Sequence, residues 1–171
     1  MQRDHVTTKR CFPPVVDANT RVLILGSLPG EVSLAQSQYY AHKQNRFWHL
    51  VGEILERDLV NMEYASRLQT LLQHRIGLWD VVAEAQRTGS LDSSIRNHAS
   101  NDLIALIETL PNLEVVAFNG GTAEKIGTRA LGSLTERYRV MRLPSSSPAY
   151  AAVPYQAKLS EWLRLRACLA A

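Results

Sequence analysis

The sequence predicts an α/β fold, a three-layer α/β/α sandwich around a central, mainly parallel four-stranded sheet. Three observations carry that expectation. Four short strand-like runs occur at residues 21–25 (RVLIL), 77–81 (GLWDV), 113–118 (LEVVAF) and 138–143 (YRVMRL). Segments with apolar residues at helical spacing stand between them, and such alternation argues a parallel sheet covered on both faces. The 171 residues, 46% hydrophobic and 20% charged, suit one globular domain and exclude disordered, collagen-like or coiled-coil chains.

Residues 1–20 contain Pro13 and Pro14 and no periodicity, so they read as an irregular arm. The first strand, 21–25, is closed by Gly26 and followed by a loop over 26–43, long enough to suspect a function. From Asn45 the residues Phe47, Val51, Ile54 and Leu55 fall on one helical face. A second helix is expected near 63–74, with Leu68, Leu71 and Leu72 inward, before the strand at 77–81. Residues 89–101 are polar and loop-like, and 102–109 form a helix that Pro111 closes. After the strand at 113–118, Asn119, Gly120 and Gly121 turn the chain into a helix reaching about residue 130. The strand at 138–143 leads to a small-residue loop, 144–151 (PSSSPAYA), and a last helix over 154–169 presents Leu159, Trp162, Leu163 and Leu169.

No run of 18 apolar residues exists, and the first 25 lack a continuous hydrophobic stretch, so a membrane partner is not expected and the cytoplasm is the expected location. Cys11 and Cys168 stand near opposite ends, the five histidines form no HxxxH pair, and no acidic loop has calcium-binding spacing. No metal and no cofactor are expected. The formal charge is +3, and 129–142 alone carries four arginines against one glutamate. That stretch is either a phosphate-binding patch or a solvated face.

In open parallel sheets a ligand sits beyond the carboxyl ends of the strands. This selects the turns at 26–45, 119–122 and 144–150, all rich in small or amide residues. GSLPG at 26–30 matches neither GxxxxGK[ST] nor GxGxxG, which argues against a nucleotide-phosphate loop. Ser145, Ser146 and Ser147 lack a GxSxG context and a visible base, so they do not read as a nucleophile. The segment 39–48 (YYAHKQNRFW) differs in kind, for it sets His42, Lys43 and Asn45 between two aromatic pairs. Phe47 and Trp48 lie at core spacing. Tyr39 and Tyr40 precede the helix and are either core or a stacking platform beside an amide, the combination a flipped base requires.

GSLPG, YYAHKQNRFW, GLWDV, SLDSSI, AFNGGTA and LPSSSPAYA, in this order, resemble the DNA-deoxyinosine (hypoxanthine) glycosylases of the uracil-DNA glycosylase superfamily, and the likeness runs from Phe12 to Trp162. HKQNRFW is also similar to the AHPxNRFW segment of mismatch-specific uracil and thymine glycosylases. Two departures stand out. The catalytic Asn of the mismatch-specific GxNPG motif is Leu28 here, and the Pro of HPxN is Lys43.

The resemblance implies a monofunctional glycosylase that excises hypoxanthine, uracil or xanthine from single- or double-stranded DNA, acting as a monomer. It places the catalytic amide at Asn45, where an uncharged amide orients water against C1′ rather than taking a proton. Tyr40 matches the position whose ring stacks on the flipped base, in a base-binding set with Gly26, Ser27, Leu28 and Asn119. Asn119 either reads the base edge or bonds its own backbone. His42 either donates to the leaving base or braces its loop. Ser27, Ser145 and Ser147 suit phosphate contacts, Tyr150 a wedge into the vacated stack, and Lys43 either a phosphate contact or a Schiff-base nucleophile. A catalytically silent DNA-binding module of the same fold and a metal-independent nucleoside hydrolase are the alternatives.

Overall fold

A computed structural model describes residues 7–87 and 96–170. At its centre β2 (Val22–Gly26) pairs in parallel with β3 (Ile76–Asp80) on one side and with β6 (Val115–Asn119) on the other, and β6 pairs in parallel with β7 (Arg139–Leu143). The order β3-β2-β6-β7 is the expected parallel four-stranded sheet.

The apolar continuity of β2 and β6 follows from burial on both faces, since successive side chains point to opposite sides. Val22, Ile24, Val115 and Ala117 join one core with Phe47, Leu50, Val51 and Ile54 of α2 (Phe47–Leu55), Leu71 of α3 (Tyr64–Gln73) and Trp162 of α6 (Tyr155–Trp162). Leu23, Leu25, Val116 and Phe118 join a second core with Leu103 and Ile107 of α4 (Leu103–Glu108) and Ala123 and Leu131 of α5 (Gly121–Leu131). Helices therefore cover both faces. None of the described helices is long and apolar enough to cross a membrane.

Several expectations need correction. The arm at 1–20 contains a strand, β1 (Thr7–Arg10), which pairs antiparallel with β4 (Val82–Arg87); β4 in turn pairs antiparallel with β5 (Arg96–Ser100). This second, three-stranded sheet takes in part of the 89–101 segment read as a loop. The SLDSSI motif at 90–95 lies outside the described residues. The loop at 26–43 contains a short helix, α1 (Glu31–Gln36), and the last helix breaks at Leu163 into α6 and α7 (Arg164–Leu169).

The arginines of 129–142 do not form one patch. Arg142 pairs with Glu124 of α5 at 3.3 Å, whereas Arg139 donates to the Cys168 Sγ at 3.7 Å on the opposite face of the sheet. Odd and even positions of a strand diverge, so sequence proximity does not make a common surface.

Candidate active site

The carboxyl ends of β2, β3 and β6 deliver Gly26, Asp80 and Asn119 to one cavity of about 330 Å³. It lies where the strand order reverses, the chain passing from β2 to β3 on one side and then crossing to β6 on the other, the switch point at which open α/β sheets bind ligands. Ser27, Leu28, Tyr40, His42, Asn45, Ser146 and Ser147 complete the part of the wall that matters here.

The aromatic segment divides as its backbone dictates. Tyr39 is buried, donates its hydroxyl to the Pro13 carbonyl at 2.9 Å, and stands edge-on to Phe12. Burial, followed by the charge of Asp80, pushes its phenol pKa up, so it remains a neutral donor. Trp48 donates its indole N–H to the Tyr39 carbonyl at 3.2 Å and belongs to the core with Phe47. Tyr40 takes the left-handed conformation, φ 54°, uncommon for a bulky residue, and its ring packs against the edge of that core where it lines the cavity. One face of the ring lies on fully buried Phe47, centroids 3.9 Å apart and planes within 16°.

Gly26 makes this placement feasible. A Cβ on it would stand 2.7 Å from Asp80 Oδ1 and 2.8 Å from the Tyr40 hydroxyl oxygen. Asp80, only 3% exposed, is the residue that sequence reasoning passed over. Its signal was the one acidic residue ending the GLWDV strand, at the carboxyl end where the ligand rule points. Leu28 packs into the second core, so the position of the mismatch enzymes' catalytic amide holds an apolar anchor.

Asn45 lies at the cavity wall just before α2, and its Oδ1 accepts the Phe47 backbone N–H at 2.9 Å. This is an Asx turn one residue ahead of the N-cap, Arg46, and the second lone pair of that oxygen and the amide N–H₂ are additional to it. His42 Nδ1 accepts the Gln44 N–H at 3.1 Å, bracing the loop from the cavity rim. Asn119 bonds neither its own backbone nor an adjacent turn. Its Nδ2 donates to Ser146 Oγ and its Oδ1 accepts from the Ser146 N–H, both at 2.9 Å. Ser146, 1% exposed, is the buried member of the serine run, and its carbonyl accepts the Arg46 N–H at 3.0 Å.

Three of the sequence candidates stand outside the cavity. Ser145 and Tyr150 line a neighbouring depression with Arg142 and Lys158, and Lys43 is exposed on the loop beside the rim. Tyr150 is 42% exposed, at the tip of the loop after β7. Lys158, buried on α6, donates to the Ser147 carbonyl at 3.5 Å, and burial followed by Arg46 lowers its pKa. Cys11, beside Asn101 and half-buried, has its thiol pKa raised chiefly by burial.

Comparison with known proteins places this geometry among relatives. The profile described as the uracil DNA glycosylase superfamily matches residues 13–167. A protein of Methanosarcina barkeri (strain Fusaro / DSM 804), named hypoxanthine DNA glycosylase, is 45% identical over 144 residues, 82% of this chain and 87% of that one. A second protein of that name, from Methanosarcina acetivorans, is 44% identical over 143 residues, with the same shares covered. The solution NMR structure of a Methanosarcina acetivorans protein, described as a candidate uracil DNA glycosylase, superposes with a TM-score of 0.83 at 41% identity over 95% of this chain and 99% of that chain.

Proposed function

The chain belongs to the uracil DNA glycosylase superfamily and is a DNA N-glycosylase, and from that premise we propose that it removes hypoxanthine from DNA by flipping the deaminated nucleotide into the cavity and hydrolysing its N-glycosidic bond. Uracil and xanthine are further substrates of the same pocket. The observation that carries this reading is the Tyr40 ring, backed on one face by Phe47 and lining the cavity that Asn45 and Asn119 share. A base inserted there extends the stack of two rings to three.

Chemistry follows from the amides. With one lone pair committed to the Phe47 N–H, the Asn45 amide is held in place and directs a water at C1′ as the sugar gains oxocarbenium character. The base leaves as an anion, which hypoxanthine and uracil tolerate better than adenine and cytosine, and their weakened pairs cost less to open. His42, at the rim, donates a hydrogen bond to the departing base. Asn119 meets the base edge. Ser145, Ser147 and Lys43 contact the phosphates on either side of the flipped nucleotide, and Tyr150 fills the gap it leaves. The enzyme works as a monomer without cofactor and releases the free base from an intact strand bearing an abasic site, the first step of base excision repair.

The test is a set of oligonucleotides each carrying one hypoxanthine, uracil or xanthine, treated with the protein and then with alkali. Strand breaks at hypoxanthine that appear only after alkali are expected. Intact strands with all three bases would leave a DNA-binding module as the better description.

A further inference from the structure

We propose that Ser146 is a positioning residue that aims the Asn119 amide at the base and so sets the preference for deaminated bases. The inference rests on the glycosylase reading above. Ser146 meets Asn119 through two atoms at once. Its backbone N–H, which can only donate, takes Oδ1 at 2.9 Å, and its Oγ accepts from Nδ2 at 2.9 Å. A flipped amide would set Nδ2 against the backbone N–H, donor against donor, so that contact selects one orientation, and the Oγ, accepting from Nδ2, holds the amide plane at a second point. Both residues are buried, Asn119 at 7% and Ser146 at 1% exposed, so no bulk solvent competes for these bonds.

The remaining N–H of Nδ2 is then the donor that Asn119 brings to the cavity wall. Deamination replaces an exocyclic amine, a donor, with a carbonyl oxygen, an acceptor. A held N–H donor therefore complements the carbonyl of hypoxanthine or uracil and opposes the amine of adenine or cytosine. The third polar group of Ser146, its carbonyl, accepts the Arg46 N–H at 3.0 Å, one residue beyond Asn45, whose own N–H reaches the His42 carbonyl at 2.9 Å. One buried serine thus ties the end of β6 to the segment bearing Asn45 and His42. Replacing its side chain leaves the two backbone bonds in place and removes the Oγ contact alone. The torsion that turns the Asn119 amide plane is intrinsically broad, so an amide held by the backbone N–H alone keeps its orientation but swings about that single tether.

Single-turnover excision at saturating enzyme, on duplexes carrying hypoxanthine, tests this with Ser146→Ala, Asn119→Ala and the double variant. Ser146→Ala is expected to slow excision about tenfold, with DNA affinity within about twofold of wild type. In the Asn119→Ala background the same substitution is expected to do nothing further, because a positioning residue has no effect once its target is gone. An equal slowing in both backgrounds would overturn the inference by showing that Ser146 acts through general stability, and an unchanged rate for Ser146→Ala would overturn it outright. Should Ser146→Ala fail to fold, Ser146→Cys enters the same cycle, since its thiol fills the space but is a weak acceptor. A wild-type protein inactive on every modified duplex would overturn the glycosylase reading and this inference with it; an active wild type with additive variants overturns the inference alone.

Discussion

Substituting Gly26 by alanine adds a single methyl group to the floor of the cavity, and the structure sets what that methyl must displace. It would lie 2.7 Å from Asp80 Oδ1 and 2.8 Å from the Tyr40 hydroxyl oxygen, so each contact must lengthen by more than about half an ångström to approach ordinary separations near 3.5 Å. The backbone cannot yield cheaply, because Gly26 and Asp80 are register partners in the parallel β2–β3 ladder. Asp80 is on a short, buried side chain. The Tyr40 ring is backed by Phe47, so relief on that side moves it toward the space the base needs. Overpacking of this kind costs about 1–3 kcal/mol, which lowers the melting temperature by about 2–4 °C for each kcal/mol in a chain this long. Displacing the stacking ring forfeits up to one base–aromatic contact, about 1–3 kcal/mol, equivalent to about 5- to 150-fold in single-turnover excision. Thermal melting and excision of hypoxanthine from a defined duplex read the two effects separately. The double variant Gly26→Ala with Tyr40→Phe removes one of the two short contacts, so the added methyl is expected to cost less in the Tyr40→Phe background than in the wild type. Unchanged melting and unchanged excision in Gly26→Ala, or a methyl that costs as much in the Tyr40→Phe background as in the wild type, would refute the packing argument.

Tyr40→Ala is expected to weaken handling of the flipped base by about 1–3 kcal/mol, with Tyr40→Phe mild; equal damage from both in the excision assay would show that the hydroxyl, and not the ring, matters. Asn45→Ala should cut single-turnover excision by about 10²-fold or more while DNA binding in a gel-shift assay is unchanged. Asn45→Ser, which can still accept the Phe47 N–H, should be as slow, and a near-full rate in it would reduce Asn45 to a turn residue ahead of α2. Excision should persist in millimolar EDTA, because no three His, Cys, Asp or Glu side chains converge among the described residues, and borohydride should trap no covalent adduct; a trapped adduct would make exposed Lys43 a nucleophile. DNA binding should weaken steeply as salt rises through counterion release, whereas turnover indifferent to ionic strength would favour a nucleoside substrate.

Much of this protein is legible in its sequence, because the relevant physics is local. The runs at 21–25 and 113–118 announce buried strands through continuous apolar residues, and the spacing of Phe47, Val51, Ile54 and Leu55 announces the helix against them. The ligand rule applied to strand ends brings Gly26, Asn45 and Asn119 to one place before any coordinate is known, and the structure lines one cavity with all three. What only the tertiary structure decides depends on partners distant along the chain. Residues 82–87 (VAEAQR) and 96–100 (RNHAS) have little apolar periodicity, and they are strands because pairing with each other and with β1 supplies hydrogen bonds that neither sequence advertises. The middle serine of three is indistinguishable from its neighbours until the fold buries it against Asn119, 27 positions away. Tyr39 and Tyr40, adjacent and identical, differ once folded: both reach the cavity, but Tyr39 is buried in the core while Tyr40, at a left-handed backbone position, packs on the edge of that core and is only partly buried. Arg139 and Arg142, close in sequence, separate because a strand alternates its faces. Local propensity is written residue by residue, but burial and pairing are properties of two segments together, and only the folded chain specifies which segments meet.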